Sequence, residues 1–197
     1  MSRRIAFFDF DGTITTKDTL LEFVKYSKGA FSFYLGFLLT SPWMVAYKLK
    51  LISNQAAKER FLRFFFRKTP LSAFEQLCAG FATEKIPQLI RPKALKEIAQ
   101  LLDKDAQVVI VSASPGNWIR PWSENMGLQL IATRLITRDQ RLTGKIEGRN
   151  CYGEEKVRRI REAYTLTDYD EVYAYGDTNG DKPMLRLGTI SFFKPFR

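Results

Sequence analysis

A chain of 197 residues, 45% hydrophobic and 26% charged, has the composition of a folded globular protein; this excludes wholesale disorder, and the length suits one domain or a core with a modest insertion. It contains no histidine, which removes Ser-His-Asp and Cys-His catalysis and most zinc sites and leaves proton transfer near neutral pH to carboxylates, Lys, Tyr or Cys. The formal charge of +10 favours an acidic substrate, an anionic membrane surface or nucleic acid, unless it is only a solvated basic face.

Arg3 and Arg4 precede an apolar stretch that Asp9 cuts short, too early for the hydrophobic region of a secretory leader. Cys78 and Cys151 lie far apart and match no metal-ligand spacing, so a cytoplasmic chain with reduced thiols is expected. Ile5 to Phe10 is a continuous apolar run ended by Asp11-Gly12, the pattern of a strand buried on both faces. From Thr19 to Lys85 there is no convincing strand. Ser53 is expected to cap a helix running through Phe66, and Ser72 another reaching Phe81. Helical spacing resumes at Pro92 to Leu102, and Val108 to Val111 is a second buried strand, ended by Ser112. Ser114-Pro115 supplies an N-cap and a first-turn proline for a helix towards Met126, which Gly127 stops. Leu128 to Thr133 follows as a strand, Glu154 to Ala163 as a helix, and Val172 to Tyr175 as a third buried strand ended by Gly176-Asp177. Ile190 to Phe193 is a further strand. The alternation predicts an α/β, doubly wound parallel-sheet core, residues 1–18 and 86–197, with an all-helical cap, residues 19–85, inserted after the first strand.

In an open parallel sheet, ligands bind at the carboxyl ends of the strands, so Asp9, Ser112 and Asp177 can converge although the chain scatters them. Asp9 and Asp11, two apart at a strand end, can aim two carboxylates into one cleft, and Gly12 lets the backbone turn at once. One carboxylate can attack phosphorus, while a second can protonate the leaving oxygen and then take a proton from water. Two such acids repel each other, so a divalent cation is expected between them.

These motifs resemble the haloacid dehalogenase-like superfamily of phosphohydrolases over nearly the whole chain. Asp9-Phe10-Asp11-Gly12-Thr13 looks like its first motif, Ser112 in Val-Ser-Ala-Ser its second, Lys156 in Gly-Glu-Glu-Lys-Val its third, and Gly176-Asp177-Thr178-Asn179-Gly180-Asp181 its fourth. The resemblance implies a Rossmann-like core, Asp9 as nucleophile and Asp11 as general acid/base. It implies Mg²⁺ held by Asp9, the Asp11 backbone carbonyl and Asp177, with Asp181 helping through water. Ser112, Lys156 and Thr13 would bind the phosphoryl group, with Gly12 in support. Asp11 also argues against carbon–halogen cleavage, because the true dehalogenases of that superfamily lack an acid there.

The helical insertion resembles the cap of the phosphoserine-phosphatase-like branch (subfamily IB). Asp18 stands where those enzymes carry a glutamate, and Arg60 in Lys58-Glu59-Arg60 is similar to an arginine that meets the substrate carboxylate; Gly12 departs from their usual Ser. The insertion carries ten Lys/Arg against four Asp/Glu, a net +6, and ten of the sixteen Phe. Ala30 to Tyr47 holds eighteen residues without a charge, between Lys25, Lys28, Lys48 and Lys50. It reads either as cap core or as an interfacial helix hairpin broken near Ser41-Pro42. Some similarity to bacterial phosphatidylglycerophosphate phosphatases goes with the second reading. The expected substrate is therefore a phosphorylated small molecule, phosphoserine-like, or alternatively a lipid phosphate. The enzyme would be cytoplasmic, with peripheral association at the inner membrane face as the variant. No recognised motif points to nucleic acid, and a binding module would have no reason to keep Asp11 beside Asp9.

Overall fold

The computed structural model describes residues 3–197; Met1 and Ser2, the start of the 1–18 core segment, lie outside them. In β1 (Arg4–Phe8), every residue from Ile5 onward is fully buried, as a strand covered on both faces requires. It ends before Asp9, sooner than the apolar run to Phe10 suggests. Gly12, at φ 81°, folds Phe10–Ile14 into a wide turn instead.

Four helices follow: α1 (Thr19–Lys28), α2 (Ala30–Lys48), α3 (Asn54–Phe66) and α4 (Leu71–Glu84). The Asp18 carboxylate caps α1 by accepting from Leu21 N–H, and the Ser53 hydroxyl caps α3 by accepting from Ala56 N–H. Ser72 caps nothing: α4 already starts at Leu71, entered from Pro70, whose restricted φ suits that place. Ala30 to Tyr47, read either as cap core or as a hairpin broken near Ser41-Pro42, is a single helix that continues through Pro42. Proline leaves the Leu38 carbonyl without its usual partner, and the Ser41 hydroxyl donates to it at 2.7 Å.

Next come α5 (Ile86–Leu89) and α6 (Pro92–Leu102), and the two links of the helical insertion run side by side: Thr16 N–H donates to Leu89 O, and Arg91 N–H to Ile14 O, each at 2.8 Å. β2 (Gln107–Pro115) does not stop at Ser112; it passes through a bulge to Pro115, and α7 (Gly116–Asn125) starts one residue later. Ser114 consequently caps no helix. Its N–H donates to Ser112 Oγ at 3.0 Å.

β3 (Gln129–Thr133) is followed by a hairpin the pattern did not announce, β4 (Leu135–Arg138) and β5 (Arg141–Ile146). Its turn residues, Asp139 and Gln140, have φ of 49° and 55°, a left-handed pair usually signalled by glycine, which is missing here. α8 (Glu154–Ala163), β6 (Glu171–Gly176), α9 (Lys182–Leu185) and β7 (Ile190–Phe193) complete the chain.

The main sheet has the order β3-β2-β1-β6-β7, every pairing parallel. The order runs outward one way from β1 to β3 and the other way from β6 to β7, which puts the switch point between β1 and β6. Ile5 and Phe7 face one core with Val109, Val111, Ile160, Val172 and Met184; Ala6 and Phe8 face the other. That second core runs on into the helical insertion. Phe23 of α1 stacks on Trp118 of α7 at 4.6 Å and meets Phe66, Phe74 and Phe81 edge-on or tilted. The cap aromatics on α1, α3 and α4 are thus largely core. Those on α2 are not: Phe31 is 83% exposed and Tyr34 64%.

Candidate active site

The adjacent strands β1, β2 and β6 deliver Asp9, Ser112 and Asp177 to one cleft at their carboxyl ends. Asp9 follows β1 directly, its N–H held by Tyr175 O at 2.9 Å. Its Oδ1 accepts from Lys156 Nζ at 2.6 Å, and the same ammonium donates to Asp181 Oδ1 at 2.7 Å. Thr13 Oγ1 lies 3.1 Å from Asp9 Oδ2 and 3.3 Å from Asp177 Oδ1, able to donate to either. Asp181 is fixed through Oδ2, which accepts from Thr178 N–H, Thr178 Oγ1 and Asp177 N–H. A methyl group on Gly12 would stand 2.6 Å from Asp177 Oδ2, and one on Gly176 would stand 2.4 Å from Asp181 Cβ. Both glycines therefore let backbone lie against a carboxylate.

Asp11 is turned elsewhere. Its Oδ1 accepts from Thr19 N–H and Oγ1, both at 2.6 Å, and its Oδ2 from Ser112 Oγ at 3.3 Å. Trp118 Nε1–H in turn donates to Thr19 Oγ1 at 3.1 Å, linking this contact to the core. The carboxylate oxygens within 4.8 Å of one another are those of Asp9, Asp177 and Asp181, so Asp181, expected to help only through water, lies as close to the cluster as Asp9 and Asp177 do.

Charge in the cleft is unbalanced. Of three buried carboxylates, Asp9 and Asp181 share the fully buried Lys156; the other cation paired with the three among the described residues is Arg197, 48% exposed, on Asp177. Burial pushes the Asp9 carboxyl up to about 7, against the pull of Lys156. Burial and then the Asp181 charge raise Asp177 as well. Asp181 moves the other way: burial opposes its charge, but Lys156 and Thr178 outweigh it and hold it below the ordinary value. Burial likewise opposes the charge on Lys156, which Asp9 and Asp181 more than offset. A cluster of hard oxygen donors with surplus buried negative charge fits a divalent cation such as Mg²⁺, which would relieve that surplus.

Lys156 sits in the first turn of α8, and this helix is tied down by its neighbours. Glu155 accepts from Arg158 and Arg159, and Arg159 donates on to Ala132 O at 2.7 Å and Arg149 O at 2.6 Å. The i, i+4 spacing of Glu155 and Arg159 was a readable signal, although it says nothing of the carbonyls beyond.

Above these groups lies a cavity of about 270 Å³ roofed by the helical insertion. Asp18 reaches it from the start of α1; desolvation in the cleft, then the Asp11 charge, push its carboxyl up to about 6, with Lys58 opposing. Lys58 of α3 lines the same cavity and donates to Ala113 O at 3.0 Å; burial lowers its pKa, against Asp18 and Asp11. Arg60 is not brought there. It is exposed, with its guanidinium 3.9 Å above the Trp43 ring. Residues two apart on a helix point to nearly opposite sides, so only one of Lys58 and Arg60 can face the cavity. Sequence alone did not single out Lys58, Asn54 or Tyr152, all of which line it.

Residues 6–186 match the family described as haloacid dehalogenase-like hydrolase. Protein CicA of Caulobacter vibrioides is 36% identical over 192 residues, which cover 96% of this chain and 85% of that protein. A Mycobacterium tuberculosis protein named as a probable phosphatase is 31% identical over 214 residues, covering 100% of this chain and 70% of its own. Among solved structures, a Bordetella pertussis protein of unknown function has a TM-score of 0.83 at 25% identity, covering 97% of this chain and 89% of that one. A phosphoserine phosphatase holding a phospho-aspartyl intermediate analogue has a TM-score of 0.64 at 21% identity, with coverage of 97% and 86%, and shares the fold.

Proposed function

This chain belongs to the haloacid dehalogenase-like hydrolase family, and from that premise we propose that it is a Mg²⁺-dependent phosphatase that opens a phosphate monoester through an aspartyl-phosphate on Asp9. The observation that carries the reading is the pair of distinct carboxylates at one strand end. Asp9 is gripped by buried Lys156, while Asp11 is held apart by Thr19 and Ser112. Unlike environments give two neighbouring acids unlike roles.

Asp9 attacks phosphorus as the ester P–O bond breaks, and Asp11 gives its proton to the departing alkoxide. Asp11 then takes a proton from water, which attacks the aspartyl-phosphate, releases inorganic phosphate and restores Asp9. Lys156 and Ser112 hold phosphoryl oxygens, which suits a reaction catalysed mainly by positioning and charge neutralisation. Asp9, Asp177 and Asp181 are the side chains that would hold Mg²⁺, which when bound would offset the negative charge of the phosphoryl group.

The substrate reading is a small phosphorylated metabolite, phosphoserine-like, in a cytoplasmic enzyme. It is supported by the opposite charges of Asp18 and Lys58 at the cavity, which suit an ester carrying both an ammonium and a carboxylate. A second reading, a lipid phosphate, is favoured by Met44 and Tyr47, through which the apolar helix α2 lines the same cavity. A panel of phosphomonoesters that includes phosphoserine and phosphatidylglycerophosphate, assayed with Mg²⁺ and with EDTA, tests both. Turnover of phosphoserine alone rejects the lipid reading, turnover of the lipid alone rejects the metabolite, and equal rates in EDTA and Mg²⁺ reject the metal dependence.

A further inference from the structure

α2 is apolar almost all round, yet the protein covers only a stripe of it, at Phe33, Gly36 and Thr40. Phe31, Phe37, Leu38, Leu39, Trp43 and Val45 are exposed, and at about 100° per residue they span roughly two thirds of the circumference. A soluble helix normally turns a polar face outward; one apolar on every side belongs in a core or in lipid. This helix is long and apolar enough to cross a membrane. Basic groups stand at both ends, Lys25 and Lys28 before it, Lys48 as its last residue and Lys50 just after it, and of these only Lys25 has a carboxylate partner among the described residues.

We propose that α2 docks the protein onto an anionic membrane surface, lying in the plane of the interface with its exposed arc among the lipids. The lysines complement an anionic headgroup layer, and the aromatics suit headgroup depth. A crossing helix is excluded by the rest of the fold. α1 and α3 flank α2, yet Asp18 of one and Lys58 of the other line a single cavity, and Phe23 packs on Phe66 at 5.5 Å. A span would separate them by the bilayer. A second copy of the chain is the weaker occupant, because a two-fold contact along α2 covers one face only and brings lysines against lysines in either orientation. Met44 and Tyr47, on the covered side of α2, line the catalytic cavity, so the docked helix also forms one wall of it.

The test uses the full chain with vesicles of phosphatidylglycerol and phosphatidylcholine in equal parts, and with phosphatidylcholine alone. Cosedimentation is expected with the anionic vesicles at low salt and weakens as salt rises. Trp43 emission should shift to the blue on binding, and the buried Trp118 and Trp122 contribute little to the change. The variant Phe31→Ser/Leu38→Ser, at two well-exposed positions, should keep the wild-type melting temperature and lose about a hundredfold in vesicle partitioning; Lys48→Gln/Lys50→Gln should weaken the preference for anionic lipid. Protein left in the supernatant with anionic vesicles at low salt overturns the proposal. So does equal partitioning of Phe31→Ser/Leu38→Ser, or a solution dimer which that variant dissociates and which binds no vesicles.

Discussion

Asp9 and Lys156 are held 2.6 Å apart and both side chains are buried, so each substitution there changes both the chemistry and the stability. Asp9 carries a carboxyl raised to about 7 from an ordinary 3.8, which means the folded metal-free protein resists its ionisation. Its contribution to stability falls as pH rises through that interval. Asp9→Asn should therefore abolish turnover while raising the melting temperature at pH 8 in EDTA by about 3 °C or more, and calorimetry checks this. A lower melting temperature would contradict the charge balance. Lys156→Met should do the reverse, leaving Asp9 and Asp181 buried without their cation at a cost of about 3 kcal/mol, readable from urea titration. At this scale Asp9, Asp11, Ser112 and Asp177 were legible because each stands at or just beyond the end of a short apolar run in the sequence. Lys58 was not, because the sequence does not say how a helix is rotated about its axis, and Arg60 was the residue it suggested instead.

Elements carry their own test in α8 and β5. Glu155 is held down to about 2 from an ordinary 4.5, first by its hydrogen bonds to Arg158, opposed by burial, and then by Arg159. A depressed carboxyl contributes stability that is full above about 4.5 and is lost as pH falls towards 2. The urea midpoint of Glu155→Gln should lie below wild type at pH 6 and converge on it between pH 4.5 and 2. A gap independent of pH would rule out the carboxylate as its cause. In β5, Gly144 has φ 73°, and a Cβ there would stand 2.5 Å from Arg63 Cα in α3. Gly144→Ala should cost about 2 kcal/mol by forcing the hairpin away from the helical insertion, and hydrogen exchange should speed up in α3 and β5 together. The strands and the helices α3, α6 and α8 were readable from apolar period and caps. The β4–β5 hairpin was not, because Asp139-Gln140 makes its turn without glycine, and neither was the start of α7, because a bulge carries β2 past Ser112 to Pro115.

For the whole molecule, the surplus of buried negative charge should make Mg²⁺ a stabiliser. At a hundredfold excess over its Kd it should raise the melting temperature by roughly 5–10 °C, reversed by EDTA and absent in Asp177→Ala. An unchanged melting temperature would remove Asp9, Asp177 and Asp181 as a metal site. The sequence by itself determined the parallel α/β core and the strand-end acids, since a strand buried on both faces must be apolar throughout and must end where a charge appears. It also determined that the insertion is helical, aromatic and basic. Only the tertiary structure decided which aromatics are core and which are surface: Phe23, Phe66, Phe74 and Phe81 pack with Trp118, while α2 keeps an apolar arc uncovered. Likewise only the tertiary structure set the Asp11 carboxylate apart from the cluster of Asp9, Asp177 and Asp181, tying it to Thr19 and Ser112. Composition measures how much apolar surface a segment has, but what covers it depends on contacts between residues far apart in the chain, and no local pattern encodes those.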